Sequence, residues 1–579
     1  MNALRRRTIF ATQQSGTSGL GLADLMVLLG LAALVYLAVR LALNAPPAVN
    51  GPEISLNTEV LPYYALRSLG RMGMAYLLAV AFSLVYGYWA ASSRAAERIL
   101  LPILDILQSV PILSFLPVVL LGLTAILPQG FAVELAAVTL IFTSQVWNMT
   151  YSFFQSLRTL PKELREAAAI YRFNWWWRFR RMELPFAAIG LLWNSIMSWA
   201  GGWFFLMAAE TFTVGDKDFR LPGLGSYLQA AANANNGSAI LAGVLTLVLI
   251  VVLLDQLVWR PLLVWVEKFK VEMVENDDPP TSWFYNLLSR SGIANFLNQW
   301  LVIGTLKALD RRFGGARKAP VKDDDHSEGR RFGRFIRALL TLGFLFLVTL
   351  AVIEIISLLV QVPLADFGRI FSGVFATGLR VTAALLIALL WTIPLGVLIG
   401  SNPRAANILQ PLVQIAASIP ATAFFPIIVL AFINLEGGLN IAAVLLMLLG
   451  TQWYILFNVI AGTAAIPQDL KYTTDLLHFK GFNRWRRLIL PSLFPYLVTG
   501  LITASGGAWN ASIVAEYTQF ARATYSVNGL GALISEATAE GNFPLLAAAT
   551  LTMILTVVLI NRYFWRRLYN LAEERYRME

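Results

Sequence analysis

The chain alternates long apolar runs with short polar segments. Runs such as Ala23 to Leu43, Ala239 to Trp259 and Ala338 to Val360 hold no more than two charged residues each. Each is close to the ~20 residues that a helix needs to cross a hydrocarbon core of ~30 Å. The pattern predicts an all-α membrane protein with about 12 transmembrane helices. We place them at 22–44, 63–91, 99–127, 131–156, 185–209 and 238–258, then at 335–361, 372–400, 405–433, 439–465, 491–515 and 544–564.

The charges of the loops between these spans indicate their sidedness. Basic residues collect in alternate loops, above all in the runs Arg172 to Arg181 and Lys480 to Arg487. The opposite loop from Asn44 to Val60 has no Lys or Arg. Because positively charged loops stay in the cytoplasm, this pattern predicts that the N and C termini are both cytoplasmic.

Composition narrows the classes of function. The chain is 57% hydrophobic and 14% charged, has no cysteine, and has only two histidines, His326 and His478. Disulfides, thiolate metal sites and histidine-based catalysis are therefore excluded. The sequence also has no Gly-x-x-x-x-Gly-Lys-Ser/Thr phosphate loop, so we expect no cofactor in this chain. The net charge of +11 is expected to meet anionic lipids and not nucleic acid.

An internal repeat organises the chain. Pro102, Ser109 and Pro117 match Pro411, Ser418 and Pro426 at a separation of 309 residues, and from Pro161 onward the separation is 306. Six spans per copy, an even number, give both copies the same orientation, as in parallel transporter repeats. We therefore predict two parallel six-helix repeats, with a substrate path on the axis between them. The predicted domains are a first repeat at 1–266, a cytoplasmic or interfacial linker at 267–333 and a second repeat at 334–579.

A short cytoplasmic motif lies between the fourth and fifth spans of each copy. In the first copy Glu166-Ala167-Ala168 is followed by Arg172, Phe173 and finally Leu184-Pro185. This segment resembles the EAA loop of ABC importer permeases, with Arg172 at that pattern's glycine position. The resemblance implies that the loop couples the permease to an ATPase. The residues at the same positions in the second copy are Tyr472, Thr473, Thr474, His478 and Phe479.

Further motifs occur twice and narrow the resemblance. They are Ser109-Val110-Pro111 with Ser418-Ile419-Pro420, Ala209-Glu210 with Ala515-Glu516, and Gly223-Leu224-Gly225 with Gly529-Leu530-Gly531. Together they resemble the nitrate, sulfonate and taurine group of ABC permeases of the bacterial inner membrane. That resemblance implies a non-enzymatic transport subunit. Its partners would be two cytoplasmic ATP-binding subunits, which bind the ATP and Mg, and a periplasmic or lipid-anchored binding protein.

The resemblance favours an inorganic or organic anion, such as nitrate, a sulfonate or taurine, as the substrate. An amino acid, a metal chelate or another small solute stays open, as does a channel that is not driven by ATP. Polar residues at membrane depth more often face a cavity or a partner than lipid, so they are candidates for the translocation path. These candidates are Ser109, Pro111, Ser114, Asn194, Ser198, Ser418, Pro420, Thr422, Thr503, Ser505, Asn510 and Ser512.

Two acidic residues lie near the outer ends of the fifth spans. Glu210 and Glu516 occupy equivalent positions in the two copies. One hypothesis makes them an outer gate or a contact for the binding protein. The other makes them structural partners of Arg71 and Arg380, which are also equivalent.

Overall fold

The computed structural model describes most of both repeats. The described ranges are 51–109, 112–214, 217–269 and 282–291, then 355–419, 421–464, 481–520 and 523–575. A few single positions at 307–353 and 466–479 are also described. The predicted first span at 22–44 and most of the seventh at 335–361 lie outside these residues.

The first repeat is built from long helices joined by short connections. Two helices, α2 and α3, stand where the sequence predicts the single span 99–127. The elements are α1 Leu61–Ser92, α2 Arg94–Ser109, α3 Ile112–Ile126, α4 Gln129–Thr159, α5 Lys162–Ile170, α6 Trp175–Arg178, α7 Leu184–Glu210, β1 Thr213–Val214, β2 Lys217–Asp218, α8 Leu224–Asn233, α9 Gly237–Leu254 and α10 Arg260–Glu267. In the linker, α11 covers Trp283–Arg290.

The described elements of the second repeat follow the same order, except that the region equivalent to α5 lies largely outside the described residues. They are α12 Leu364–Ser401, α13 Pro403–Ser418, α14 Ala421–Phe432, α15 Gly438–Ala464, α16 Phe482–Arg484, α17 Leu490–Ala515, β3 Tyr517–Phe520, β4 Ala523–Ser526, α18 Leu530–Glu540, α19 Phe543–Ile560 and α20 Arg566–Arg575. Both hairpins are antiparallel, with Thr213 opposite Asp218 and Tyr517 opposite Ser526.

Irregular features recur at equivalent positions in the two repeats. A π-helical turn precedes α7 at Phe179–Glu183 and α17 at Trp485–Ile489, 306 residues apart. A second one follows α9 at Asp255–Trp259 and α19 at Asn561–Trp565, at the same separation. Local deviations of this kind are set by specific packing. Their recurrence shows that the sequence repeat is also a repeat of structure.

A central helix holds each repeat together. In the first, α4 packs along both α1 and α7; in the second, α15 packs along both α12 and α17. The facing side chains are small or aliphatic, such as Ala75, Ala136 and Ala187 in the first repeat, all essentially inaccessible. Large apolar side chains such as Leu66, Leu77 and Leu390 are exposed on the outer faces of these helices. Exposed leucines on a long helix are expected where lipid replaces water.

Seven described helical segments are long and apolar enough to span a membrane, so the predicted count of twelve is not reproduced. Two of the five other predicted spans lie wholly or largely outside the described residues. A third, α7, is 27 residues long but contains Asn194, Ser195, Ser198 and three tryptophans, which lower its hydropathy. The remaining two, 99–127 and 405–433, are each broken into two shorter helices.

Proline explains the break at Ile419, and a proline also stands between the two described helices of the span 99–127. The predicted single spans pass through Pro111 and Pro420, but helices end at Ser109 and Ser418 and restart at Ile112 and Ala421. Proline has no N–H to continue the helix, and it forces the preceding residue into an extended conformation. Ile419, directly before Pro420, has φ −79° and ψ 120°, as this rule requires.

One broken helix is bonded to the opposite repeat. The N–H of Ile112, at the start of α3, donates to Oδ1 of Asn510 on α17. A free N–H at the start of a helix inside the membrane is costly unless a partner accepts it. The residue equivalent to Asn510 in the first repeat is Phe204, which offers no acceptor. The two repeats therefore join by a hydrogen bond that exists on one side only.

Replacing Asn510 by Leu should lower the free energy of unfolding by about 1–3 kcal/mol, because it leaves the buried N–H of Ile112 without an acceptor. Thermal unfolding of the protein in detergent, followed by tryptophan fluorescence, measures the change. Asn194→Leu is a matched control, since Asn194 bonds only to the carbonyl of Gly190 on its own helix. An equal loss from both variants would show that the bond between repeats contributes nothing.

Candidate functional site

A buried ion pair lies at the C-terminal end of α7 in the first repeat. Glu210, the last residue of α7, has no exposed surface. Its carboxylate accepts hydrogen bonds from Nη1 of Arg71 at 2.8 Å, Oγ of Ser68 at 2.7 Å and the N–H of Gly225 at 2.8 Å. Arg71 and Ser68 belong to α1, and Gly225 begins α8. One carboxylate thus joins three helices.

The second repeat has the same arrangement. Glu516 accepts from Nη1 of Arg380 at 2.6 Å, from the hydroxyl of Thr377 at 2.8 Å and from the N–H of Gly531 at 2.9 Å. Arg380 also donates to the carbonyl of Asn528. Each contact matches one in the first repeat, where Arg71 donates to the carbonyl of Pro222.

The repeated Gly-Leu-Gly motif is explained by these carboxylates. A Cβ atom at Gly223 would overlap the carboxylate of Glu210, and one at Gly529 would overlap that of Glu516. A Cβ at Gly225 would lie 3.0 Å from the backbone of Met207. Only glycine allows α8 and α18 to present their first N–H groups to a buried anion, which such helix ends bind well.

The structure bears on the two hypotheses for Glu210 and Glu516. The ion pairs with Arg71 and Arg380 are present, as the structural hypothesis expects. The side chains of both glutamates are fully covered, so a direct contact with a binding protein would first require them to become exposed. An outer-gate role stays a prediction, and it would have to act through the helices that the two glutamates connect.

The two ion pairs differ in their surroundings. Arg71 also binds Glu134 of α4, through Nε at 2.7 Å and Nη2 at 2.8 Å. In the second repeat the equivalent position is Asn440, whose Oδ1 accepts from Nε and Nη2 of Arg380. Arg71 therefore has two carboxylate partners and Arg380 has one. The sequence indicated the arginines and glutamates, but it did not indicate Glu134 or Asn440.

Most described candidates for the translocation path are bonded within the fold. Asn194 donates to the carbonyl of Gly190, Thr503 to that of Thr499 and Ser512 to that of Trp509. Ser505 accepts from Nε1 of Trp565. Bonding to the preceding turn is the ordinary state of such side chains in a helix.

Two candidates have free hydroxyls. Within the described residues, the buried hydroxyls of Ser198 and Thr422 have no hydrogen-bond partner. Pro111, Pro420 and the side chains of Ser109, Ser114 and Ser418 lie outside the described part of the chain. A path role for all these residues stays a prediction.

The cytoplasmic motif ends in the same turn in both repeats. The N–H of Phe173 donates to the carbonyl of Ala168 at 2.9 Å, and that of Phe479 donates to Thr474 at 3.0 Å. The residues just before, Arg172 and His478, have left-handed φ angles of 50° and 53°. This is the Schellman ending of a helix, in which glycine is normally the left-handed residue. The turn persists here without glycine.

Each turn exposes a pair of apolar residues that sequence reasoning missed. Ile170 and Tyr171 are 78% and 75% exposed; the equivalent Leu476 and Leu477 are 79% and 58% exposed. The recurrence of an apolar pair shortly before Arg172 and His478 in the two copies could have indicated these residues. Among the predicted coupling residues, Glu166, Arg172 and Tyr472 are exposed, Ala168 and Thr474 are buried, and Ala167 and Phe173 are partly buried. Thr473 lies outside the described residues.

In the described part of the chain, the linker contacts the segment just after the turn of the first repeat and not the equivalent segment of the second. Asp310 accepts from Nε1 of Trp176 at 2.8 Å and pairs with Arg180. The hydrogen bond from Arg180 lowers the pKa of the Asp310 carboxyl. In the second repeat the residue equivalent to Trp176 is Phe482, whose side chain has no N–H to donate.

Two equivalent helix bundles, each with long apolar helices and an exposed turn, are the architecture expected of a membrane transport permease. The chain belongs to the family of binding-protein-dependent transport system inner membrane components, which it matches twice, at residues 83–258 and 392–565. These two regions cover more than half of the chain. The protein is therefore a multi-pass component of the inner membrane.

Relatives of this chain are named as permeases for bicarbonate, nitrate and taurine. The chain is 32% identical over 158 residues to the bicarbonate transport system permease protein CmpB of Synechococcus elongatus, covering 27% of this chain and 55% of CmpB. It is 31% identical to the nitrate import permease protein NrtB of Leptolyngbya laminosa, over 25% of this chain and 51% of NrtB. It is 27% identical to the taurine transport system permease protein TauC of Escherichia coli, over 27% of this chain and 54% of TauC. The chain thus spans about half the length of these relatives.

Replacing Glu516 by Gln should lower stability more than replacing Glu210 by Gln. Removing one partner of a buried ion pair costs about 3–5 kcal/mol, and Arg380 would keep only neutral acceptors, Asn440 and the carbonyl of Asn528. Arg71 would keep Glu134, so Glu210→Gln should cost less. Thermal unfolding in detergent measures both.

Glu536→Gln is the control for this comparison. Glu536 forms an exposed pair with Arg369, and loss of such a pair costs about 1 kcal/mol or less. If Glu210→Gln destabilised the protein as much as Glu516→Gln, the proposed compensation by Glu134 would be wrong.

Proposed function

We propose that this chain is the membrane-spanning subunit of an ATP-driven importer that moves a small anion into the cytoplasm. The observation that carries this proposal is the pair of equivalent coupling turns, each with exposed apolar residues. Exposed apolar pairs beside polar residues are typical of docking surfaces. Two such surfaces on one chain fit two ATP-binding subunits, and a chain with both repeats needs no second copy.

The proposed coupling follows the connections of α7 and α17. Each coupling turn leads through a π-helical turn into the long helix, whose first turn contains Pro185 or Pro491. Proline fixes the direction in which the helix starts. At the outer end, Glu210 or Glu516 ties the same helix to α1 and α8 or to α12 and α18. A displacement at the cytoplasmic turn would thus reach the outer helices through a rigid rod.

An anion is the substrate class that the relatives favour, since they are named for bicarbonate, nitrate and taurine. The buried arginines of the described spans, Arg71 and Arg380, are already neutralised by carboxylates. Recognition along the path would then use hydroxyls such as those of Ser198 and Thr422. Such a path binds weakly, so we propose that a separate binding protein supplies selectivity.

The proposal is tested by purifying the complex and reconstituting it in liposomes. Native mass measurement should find one copy of this chain with two ATP-binding subunits. Uptake of nitrate, bicarbonate and taurine should require ATP and the binding protein. Two copies of the chain per complex would contradict the fused permease, and equal uptake without ATP would indicate a channel. If only an amino acid or a metal chelate were taken up, the proposed substrate class would change from an anion to that solute.

Glu166→Ala should lower substrate-stimulated ATP hydrolysis more than Tyr472→Ala does. A carboxylate can accept charge-assisted hydrogen bonds from a partner, worth about 1.5–3 kcal/mol, whereas tyrosine offers one neutral hydroxyl. ATP hydrolysis by the complete complex in liposomes measures the difference. Glu163→Ala, an exposed acid on the same short helix outside the motif, serves as the control. A larger loss from Tyr472→Ala would show that apolar packing dominates the docking.

A further inference from the structure

One aromatic side chain lies between equivalent points of the two repeats. Gly201 on α7 and Gly507 on α17 are equivalent, 306 residues apart. A Cβ atom at Gly201 would lie 2.7 Å from the hydroxyl oxygen of Tyr454, and one at Gly507 would lie 3.7 Å from Cε2 of the same ring. Tyr454 belongs to α15 of the second repeat and reaches across to the first. A side chain that touches equivalent positions in both repeats lies at their pseudo-twofold axis.

The two glycines make room for this ring. Any side chain at Gly201 would displace the Tyr454 hydroxyl. At Gly507, Thr451 Cγ2 would lie 3.1 Å from an added Cβ, so this contact is also close. Within the described residues the Tyr454 hydroxyl makes no hydrogen bond of its own. The ring is therefore held by packing alone and can leave its position without breaking a polar contact.

The position is occupied asymmetrically. The residue equivalent to Tyr454 in the first repeat is Asn148. A twofold axis has room for one large side chain, because a symmetric mate would occupy the same space. Two identical chains could not place a single tyrosine there. A fused chain can, because its two repeats are free to differ.

The depth of the contact indicates which end of the path it closes. Gly201 is 17 residues from Leu184 and nine from Glu210. At 1.5 Å per residue these are about 25 Å from the cytoplasmic end of α7 and about 14 Å from its outer end. With the coupling turns in the cytoplasm, Tyr454 lies in the outer half of the membrane.

We propose that Tyr454 is the plug that closes the transport path on its outer side, and that it sets the size of solute that passes. This inference rests on the proposed function, since a plug requires a path along the axis. The ring fills the space between Gly201 and Gly507, and it must move when the outer helices separate.

The first test measures leakage without ATP. The full chain is placed in liposomes loaded with nitrate, and efflux is followed with a nitrate electrode. Tyr454→Ala should raise efflux about tenfold or more, because each 1.4 kcal/mol of lost closing contact changes a two-state population tenfold. Tyr454→Phe, which keeps the ring, should stay tight. Asn148→Ala, at the equivalent position, should also stay tight.

The second test measures geometry and does not depend on transport. The chain has no cysteine, so only introduced thiols react. A Gly201→Cys, Tyr454→Cys variant with a protease site in the 317–331 stretch is treated with a short bis-maleimide and then cleaved. The two halves should stay together on a denaturing gel. Gly190→Cys with Tyr454→Cys, about 16 Å away along α7, should not crosslink.

The outcomes separate this proposal from the proposed function. Crosslinking at 201 and 454 together with a leak from Tyr454→Ala supports the plug, even if no ATP-driven uptake of any tested anion is found. Failure of the 201 and 454 pair to crosslink overturns the placement of Tyr454. Crosslinking without a leak from Tyr454→Ala, or an equal leak from Asn148→Ala, overturns its role as the seal.

Discussion

The fold depends on one buried charge interaction that occurs twice. In each repeat a carboxylate at the end of the fifth span binds an arginine of the first described long helix, α1 or α12, and an N–H group in the first turn of a short helix. A buried charge without these partners would be far too costly to keep. Glu210 and Glu516 thus fix where three helices meet, and the glycines beside them are required for this closeness.

The two repeats share a backbone but differ at selected side chains. Equivalent π-helical turns, hairpins and left-handed residues show that the backbone is the same. Two of the differences lie where the repeats meet each other: Phe204 against Asn510, and Asn148 against Tyr454. A third, Glu134 against Asn440, lies beside the ion pair within each repeat. A single chain allows such differences because each half has its own sequence. An asymmetric interface between the repeats is therefore a direct product of the fusion.

The sequence by itself determined the class of the protein and its organisation. Apolar runs gave the membrane helices, because only a helix satisfies its backbone inside lipid. The self-alignment gave the two repeats, and short motifs gave the family and the positions of Glu166, Glu210 and Glu516. It also offered Arg71 and Arg380 as partners of the glutamates. These features are local, or depend on matching one part of the chain with another.

Only the tertiary structure decided what these residues contact. Two predicted spans consist of two helices each, with a proline between them. The N–H of Ile112 at one of these junctions donates to Asn510 of the other repeat. Most of the described hydroxyls expected in the path bond within the fold, while Ser198 and Thr422 keep theirs free. The position of Tyr454 between Gly201 and Gly507 depends on the packing of three helices from two repeats. A sequence pattern cannot show this, because the pattern records which face is apolar but not which helix covers it.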